Sequence, residues 1–194
     1  MTEEELYTKC LEDDSHERLL GGFYRIHPGA IIAKDVRIGE GTVIEQGCHI
    51  GHNVMIGHYC VLRPDTNIGS STKIGHLCVF EGSINIEAEV AIQSQCFIAE
   101  HTYISAKAYL GPKVMTLAVR KIRHTRRFPL KWDGVYISYG ARIGAGSIIL
   151  PGVTIRREAL IGAGSVVTKD CDSYGIYIGS PAKKVGEVPE EERL

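Results

Sequence analysis

An all-β solenoid is predicted for this chain by three observations: an apolar residue at every sixth position, a small or branched residue two places before it, and glycine directly after many members of the first series. The first series runs from Ile26 through Ile32, Ile38 and Ile44 to Leu110 without a gap. The second runs from Ala30 through Val36, Thr42 and Cys48 to Ala108. Residues two apart on a strand share one face, so both series point inward from the same short strand. Gly39, Gly51, Gly57, Gly69, Gly75 and Gly111 follow the first series, where a chain that bends every few residues gains from a missing Cβ. The period resumes at Ile137 and continues through Ile143, Ile149, Ile155 and Ile161 to Val167. A six-residue unit buries its apolar face only by stacking on the next one, which makes the solenoid a single domain.

Each element can be justified in chain order. Thr2 and Glu5 have capping-box spacing, and Leu6 and Cys10 supply an apolar stripe, which predicts a helix over 2–13 that caps the open end of the solenoid. Gly21 and Gly22 mark the end of this 1–22 cap, and residues 23–186 form the repeat. Leu110 and Ile137 are 27 residues apart, not a whole number of hexapeptides, so a segment from about 112 to 134 is expected to leave the coil. The segment holds Lys113, Arg120, Lys121, Arg123, Arg126, Arg127 and Lys131 with no acid before Asp133. A basic cluster of this kind attracts phosphate, and Arg123, Arg126 and Arg127 are the candidate ligands. Phe128 and Trp132 add a surface on which a base could stack, though one loop is a weak basis for nucleic-acid binding. The acidic end, 187–194, reads as a solvated tail.

Composition narrows the function classes. The net charge is −1 with 44% hydrophobic residues, so no overall charge calls for a polyanionic partner. No apolar run approaches ~18 residues and the N-terminus opens on acids, which predicts neither a membrane span nor a secretion signal and points to the cytoplasm. Cys48, Cys60, Cys78 and Cys96 fall on the small inward position, where a thiol behaves as a small hydrophobe; Cys10 and Cys171 lie outside it. There is no Gly-x-x-x-x-Gly-Lys-[Ser/Thr], Cys-x-x-Cys or Gly-x-Ser-x-Gly sequence, so P-loop, zinc-ribbon and α/β-hydrolase chemistry have no motif here.

The repeat, aliphatic-Gly-x-x-small-x, resembles that of the hexapeptide-repeat acyltransferases. The resemblance implies a left-handed parallel β-helix of about seven coils, three hexapeptides to a coil, assembled as a homotrimer. Ile143-Gly144-Ala145-Gly146-Ser147 recurs as Ile161-Gly162-Ala163-Gly164-Ser165, and the run from Gly140 to Lys183 is similar to the terminal coils of members that use acyl-CoA. By that likeness Ala145, Ala163, Lys169 and Lys183 are the candidate acetyl-CoA contacts. The arrangement of early coils, protruding loop and terminal coils resembles sugar-nucleotide N-acetyltransferases of surface-polysaccharide pathways, implying the amine of a nucleotide-linked amino sugar as acceptor. The loop lacks the Asn and Tyr-Pro-Arg pattern of that group. Acetylation of a sugar or serine hydroxyl is the alternative. A zinc protein of the gamma-class carbonic anhydrase type and a non-enzymatic assembly subunit are more distant ones, the former because no two of the eight histidines are five residues apart.

Coils of eighteen residues stack positions eighteen apart. Glu45, Arg63 and Glu81 then form a charge ladder, with a catalytic Glu81 a remote option. Val43, Val61, Val79 and Phe97 form an outward apolar stripe that fits a subunit interface. His58, His76, Ser94 and Pro112 form one column, which places both histidines beneath the root of a loop leaving at Pro112. Their setting, Ile-Gly-His, resembles that of the general base in some hexapeptide sugar acetyltransferases, without the acid that often follows. His76 is the first candidate base, His58 the second and His101, in another column, the third.

Overall fold

The computed structural model describes residues 7–9, 24–122 and 124–194. The predicted period is realised as short parallel strands, most of two residues, wound into about eight triangular turns. Three flat faces result. The first carries Ile31–Ala33, His49–Ile50, Asn67–Ile68, Asn85–Ile86, Tyr103–Ile104, Tyr136–Ile137 and Thr154–Ile155. The second runs from Arg37–Ile38 to Gly175–Gly179, and the third from Arg25–Ile26 to Val166–Val167. Before the insertion the parallel strands pair in strict register eighteen residues apart, as in Val61↔Val79 and Val79↔Phe97. Across the insertion the offset is 33, for Ile104↔Ile137 and Leu110↔Ile143, 15 more than an uninterrupted turn.

Both inward series are buried, from Ala30, Ile32 and Ile44 to Ile161 and Val167, with Thr42, Thr66, Thr72 and Thr102 taking small positions. The buried threonines are satisfied: Thr42 Oγ1 donates to the Gly57 carbonyl at 2.8 Å and accepts the Cys60 N–H at 3.1 Å. Cys60, Cys78 and Cys96 stack as inward rungs, each thiol donating to a carbonyl of the next turn at 3.1–3.2 Å. Cys171 is also buried, and desolvation pushes its thiol up to about 12. Cys10 lies outside the described residues.

The repeat glycines serve a purpose other than bending. A Cβ on Gly39 or Gly57 would lie 2.6 Å from backbone of the next turn, so their absence of a side chain permits coil-on-coil contact. The left-handed conformation falls two residues later, on Tyr59, Leu77, Gln95, His101 and Lys113 among others. Each costs roughly 1–2 kcal/mol for a residue with a side chain, offset by the backbone bonds the corner makes, such as Leu77 N–H to the His58 carbonyl at 2.9 Å.

Four expectations need correcting. Tyr7–Lys9, within the helix expected over 2–13, is a strand paired antiparallel to Ile31–Ala33, where it satisfies N–H and C=O groups that the open edge of the first face would leave unpaired; the rest of that segment lies outside the described residues. The coils number about eight, as the eight parallel strands of the third face show. Met115–Thr116 remains in the solenoid, paired with Ile148–Ile149, so the insertion leaves after Thr116 and not at Pro112. Residues 187–194 are docked instead of solvated: Val188 is buried, Arg193 stacks on Tyr174 at 4.4 Å, and the buried Glu158 carboxylate accepts the Leu194 N–H at 2.7 Å.

Candidate functional site

Two corners of the triangular coil carry the candidate chemistry. Where the second face turns into the third, successive coils place Gly57-His58-Tyr59, Gly75-His76-Leu77, Gln93-Ser94-Gln95, Gly111-Pro112-Lys113, Gly144-Ala145-Gly146 and Gly162-Ala163-Gly164 on one edge. The bonds between rungs follow that order: Gln95 N–H to the His76 carbonyl, Lys113 to Ser94, Gly146 to Pro112 and Gly164 to Ala145, at 2.8–3.0 Å. The candidate histidines and the glycine-alanine strip therefore share an edge, with His76 three rungs from Ala145, or ~14 Å at the usual spacing of neighbouring strands.

A second ladder crosses this edge. The N–H groups of Glu40, His58 and His76 donate in turn to His58 Nδ1, His76 Nδ1 and Ser94 Oγ, each at 3.0 Å. The two imidazoles stack at 5.1 Å between centroids. Because each Nδ1 accepts a backbone proton, the neutral ring carries its own proton on Nε2. In this arrangement the free ring nitrogen is a donor, so proton abstraction would require His76 to turn and release the His58 N–H.

Further along the edge the surface is bare. Gly146 and Gly164 have φ of +68° and a Cβ on either would meet nothing within 4 Å. Ala145 and Ala163 are exposed beside them. Lys113 stands exposed on the rung before the strip, a position hidden from the sequence by the apparent start of the loop at 112. Lys183 pairs with Ile178 in the hairpin that closes this edge. Lys169 follows Val166–Val167 on the third face and so lies toward the other corner, away from Ala145 and Ala163.

The insertion stands at that other corner, where the third face turns into the first. Its root is His101, not His58 or His76: Gly134 packs on the His101 backbone and Trp132 meets the His101 ring edge-on at 6.5 Å. Val119 and Trp132 form an antiparallel bridge that draws the loop into a hairpin. Arg120 donates to Asp133 at 3.0 Å and Lys131 lies 3.7 Å from the same carboxylate, which is held below its usual range by Arg120 first and Lys131 second. Arg126 donates to the His124 carbonyl at 2.9 Å, Arg127 is exposed, and Arg123 lies outside the described residues.

A cavity of about 320 Å³ opens under the hairpin, walled by Phe97, Leu117 and Trp132 with Arg63, Glu81 and Glu100 at its rim. Arg63 donates to Glu81 at 2.9 Å, as the charge ladder predicted. A second cavity of about 230 Å³ lies within the loop, lined by Arg120, Lys121, Phe128 and Lys131. Val119 borders both. Neither cavity is legible before the point where the loop leaves the coil is known. Among the described residues no group of three His, Cys, Asp or Glu side chains could hold a metal ion, and no helix is long and apolar enough to cross a membrane.

Two stretches of the chain match known protein families. Residues 47–82 match the bacterial transferase hexapeptide (six repeats), and residues 134–169 the hexapeptide repeat of succinyl-transferase. These matches mark two stretches of hexapeptide repeat, of the kind found in bacterial transferases, and agree with the fold. Among its relatives are the dTDP-4-amino-4,6-dideoxy-D-glucose acyltransferase of Escherichia coli, 45% identical over 53 residues covering 27% of this chain and 28% of that one, and the dTDP-3-amino-3,6-dideoxy-alpha-D-galactopyranose 3-N-acetyltransferase of Aneurinibacillus thermoaerophilus, 42% identical over 60 residues covering 31% of each. The matched stretches span less than a third of these relatives. A crystal structure of a mutant of AntD, an N-acyltransferase from Bacillus cereus, in complex with dTDP-4-amino-4,6-dideoxyglucose and coenzyme A, shares the fold over 96% of this chain and 92% of that one, with a TM-score of 0.57 and 18% identity.

Proposed function

We propose that the protein transfers an acetyl group from acetyl-CoA to the amine of a nucleotide-linked amino sugar in surface-polysaccharide synthesis, working as a cytoplasmic homotrimer. The observation that carries this reading is the bare strip at Gly144-Ala145-Gly146 and Gly162-Ala163-Gly164. Two open glycine positions on stacked rungs leave backbone groups accessible to a slender chain such as pantetheine. Lys113 and Lys183, at the two ends of the strip, would meet CoA phosphates, and Lys169 would do so only for a cofactor that reaches across the third face. The relatives named for amino-sugar nucleotides support the acceptor class.

In the reaction the amine nitrogen adds to the thioester carbonyl carbon, the C–S bond breaks, and the proton lost by nitrogen ends on the CoA sulfur. His76, with His58 stacked behind it, would act on this step. The bond from the His58 N–H to His76 Nδ1 favours a donor at Nε2, suited to holding the carbonyl oxygen as charge develops there. The base role anticipated for His76 remains a second option that needs the ring to turn. The apolar row on the third face, Val43, Val61, Val79 and Phe97, continues in register through Met115, Ile148 and Val166. Packing through that row in a closed ring of three sets different edges of neighbouring copies against each other, and so brings the histidine edge of one copy toward the loop of the next.

The test is thiol release from acetyl-CoA with amino-sugar nucleotides and with their hydroxyl counterparts. Turnover confined to the amines supports the reading; turnover with the hydroxyl compounds alone makes the protein an O-acetyltransferase; turnover with neither, together with no thermal protection by acetyl-CoA, overturns it. For His76→Ala, loss of an oxyanion donor lowers kcat ~10²–10³-fold without removing the acid limb of the pH profile. Loss of that limb would return the base role to His76.

A further inference from the structure

The hairpin made by Val119 and Trp132 divides two cavities of opposite character. On one side, Glu81 and Glu100 face an aromatic wall of Phe97 and Trp132. Arg63 is committed to Glu81, and Glu100 makes no ion pair or side-chain hydrogen bond among the described residues, so the net charge of that rim is negative. On the other side, Arg120, Lys121 and Lys131 surround Phe128, and only one carboxylate, Asp133, opposes them. Two cavities sharing a wall at Val119, together about the size of a small-ligand site, suit a ligand that is anionic at one end, cationic at the other, and flat in between.

We infer that the cavity beneath the hairpin, at Glu100 and Trp132, holds the ammonium end of an acceptor whose phosphates lie across the hairpin at Lys121 and Lys131. The inference rests on the acyltransferase reading for its choice of ligand, a nucleoside diphosphate linked to an amino sugar. Phe97 and Trp132 offer flat apolar surface to the sugar ring, and Glu100 supplies the charge that distinguishes an amine from a hydroxyl at the same carbon. A carboxylate that meets the protonated amine also explains how one pocket could select amine over alcohol, since the neutral hydroxyl gains no ionic contact and leaves Glu100 partly desolvated.

Trp132 is the only tryptophan of the chain, so its emission reports the cavity directly. The experiment titrates the full chain, without acetyl-CoA, with a nucleoside-diphosphate amino sugar, with its hydroxyl counterpart and with the nucleoside diphosphate alone. All three should bind, the amino sugar about tenfold more tightly than the hydroxyl compound, and only the two sugar ligands should change Trp132 emission strongly. Glu100→Gln should erase the tenfold preference and leave affinity for the nucleoside diphosphate unchanged, whereas Lys121→Ala should weaken all three. Glu100 is a partly exposed surface residue, and unchanged binding of the nucleoside diphosphate by Glu100→Gln verifies that this variant is folded. Preference for the amine retained in Glu100→Gln, or Trp132 emission indifferent to the sugar, would overturn the inference. Because no acyl donor is present, a protein that binds these ligands as expected but shows no turnover refutes the acyltransferase reading and not the pocket, and turnover with either overturning result does the reverse.

Discussion

Adding one methyl group to the bare strip separates its role in binding from its role in the fold. Gly146→Ala and Gly164→Ala put a Cβ into open space, so the only folding cost is the left-handed backbone at φ +68°, roughly 1–2 kcal/mol each. For a chain of this size that lowers Tm by about 2–8 °C. Gly144→Ala is the contrasting change, because its Cβ would sit 2.8 Å from Ala163 Cα with backbone on both sides and no flexible side chain to yield. It should destabilise far more, or fail to give folded protein. If pantetheine lies along the strip, either outward methyl group keeps backbone and cofactor apart by about the width of an atom, and KM for acetyl-CoA should rise tenfold or more while the Tm loss stays modest. Steady-state kinetics with melting curves on the same samples decide it. A KM within twofold of the parent in both Gly146→Ala and Gly164→Ala would refute the strip as the cofactor track, and a well-folded Gly144→Ala would refute the account of coil contact.

Three further outcomes are expected. Val61→Glu and Val79→Glu each place an unpaired carboxylate in the apolar row and should lower the mass seen by light scattering, because burying that charge is costly; an unchanged mass in both would remove the row from the interface. Replacing Arg126 and Arg127 with Ala should raise KM for a diphosphate-bearing acceptor, with a steep salt dependence in the parent protein and little change in Tm. Asp133, held below its usual range by Arg120 and Lys131, contributes loop stability that is present above the ordinary carboxylate pKa and is lost as pH falls through the lower folded value. Trp132 emission should therefore hold steady down to about pH 4 and shift below it, and Asp133→Asn should show the shifted signal at every pH.

The solenoid was legible because one physical requirement, an inward residue every sixth position, repeats until chance cannot account for it. The same regularity made eighteen-residue stacking a usable ruler: Arg63 meets Glu81 and His76 meets Ser94 as that ruler requires. The ruler misplaced the loop because Thr116 is polar and did not register as the next member after Leu110, although Val114 and Thr116 are both buried. Ile122 keeps the spacing yet is exposed, so apolar character alone does not mark where the coil ends. From that one misread position followed the wrong root, His76 in place of His101. The direction of each imidazole was beyond the sequence, since it depends on which backbone N–H the next turn presents. Both cavities depend in the same way on a hairpin that the composition of the loop does not specify.

Both ends of the coil reverse strand direction. At one end Tyr7–Lys9 runs antiparallel over Ile31–Ala33, and at the other Ala182–Glu187 folds back over Gly175–Gly179 with Lys183 and Lys184 on the outermost strand. A parallel coil from a second molecule would need a matching parallel edge with free N–H and C=O groups, and on these faces it finds a strand of the wrong polarity that bears charge. Each reversal closes one of the three faces at its end of the coil against such growth. A chain truncated before Ala182 would expose Gly175–Gly179 as a parallel template, and its characteristic failure would be growth into filaments along the coil axis, with the inner turns still intact.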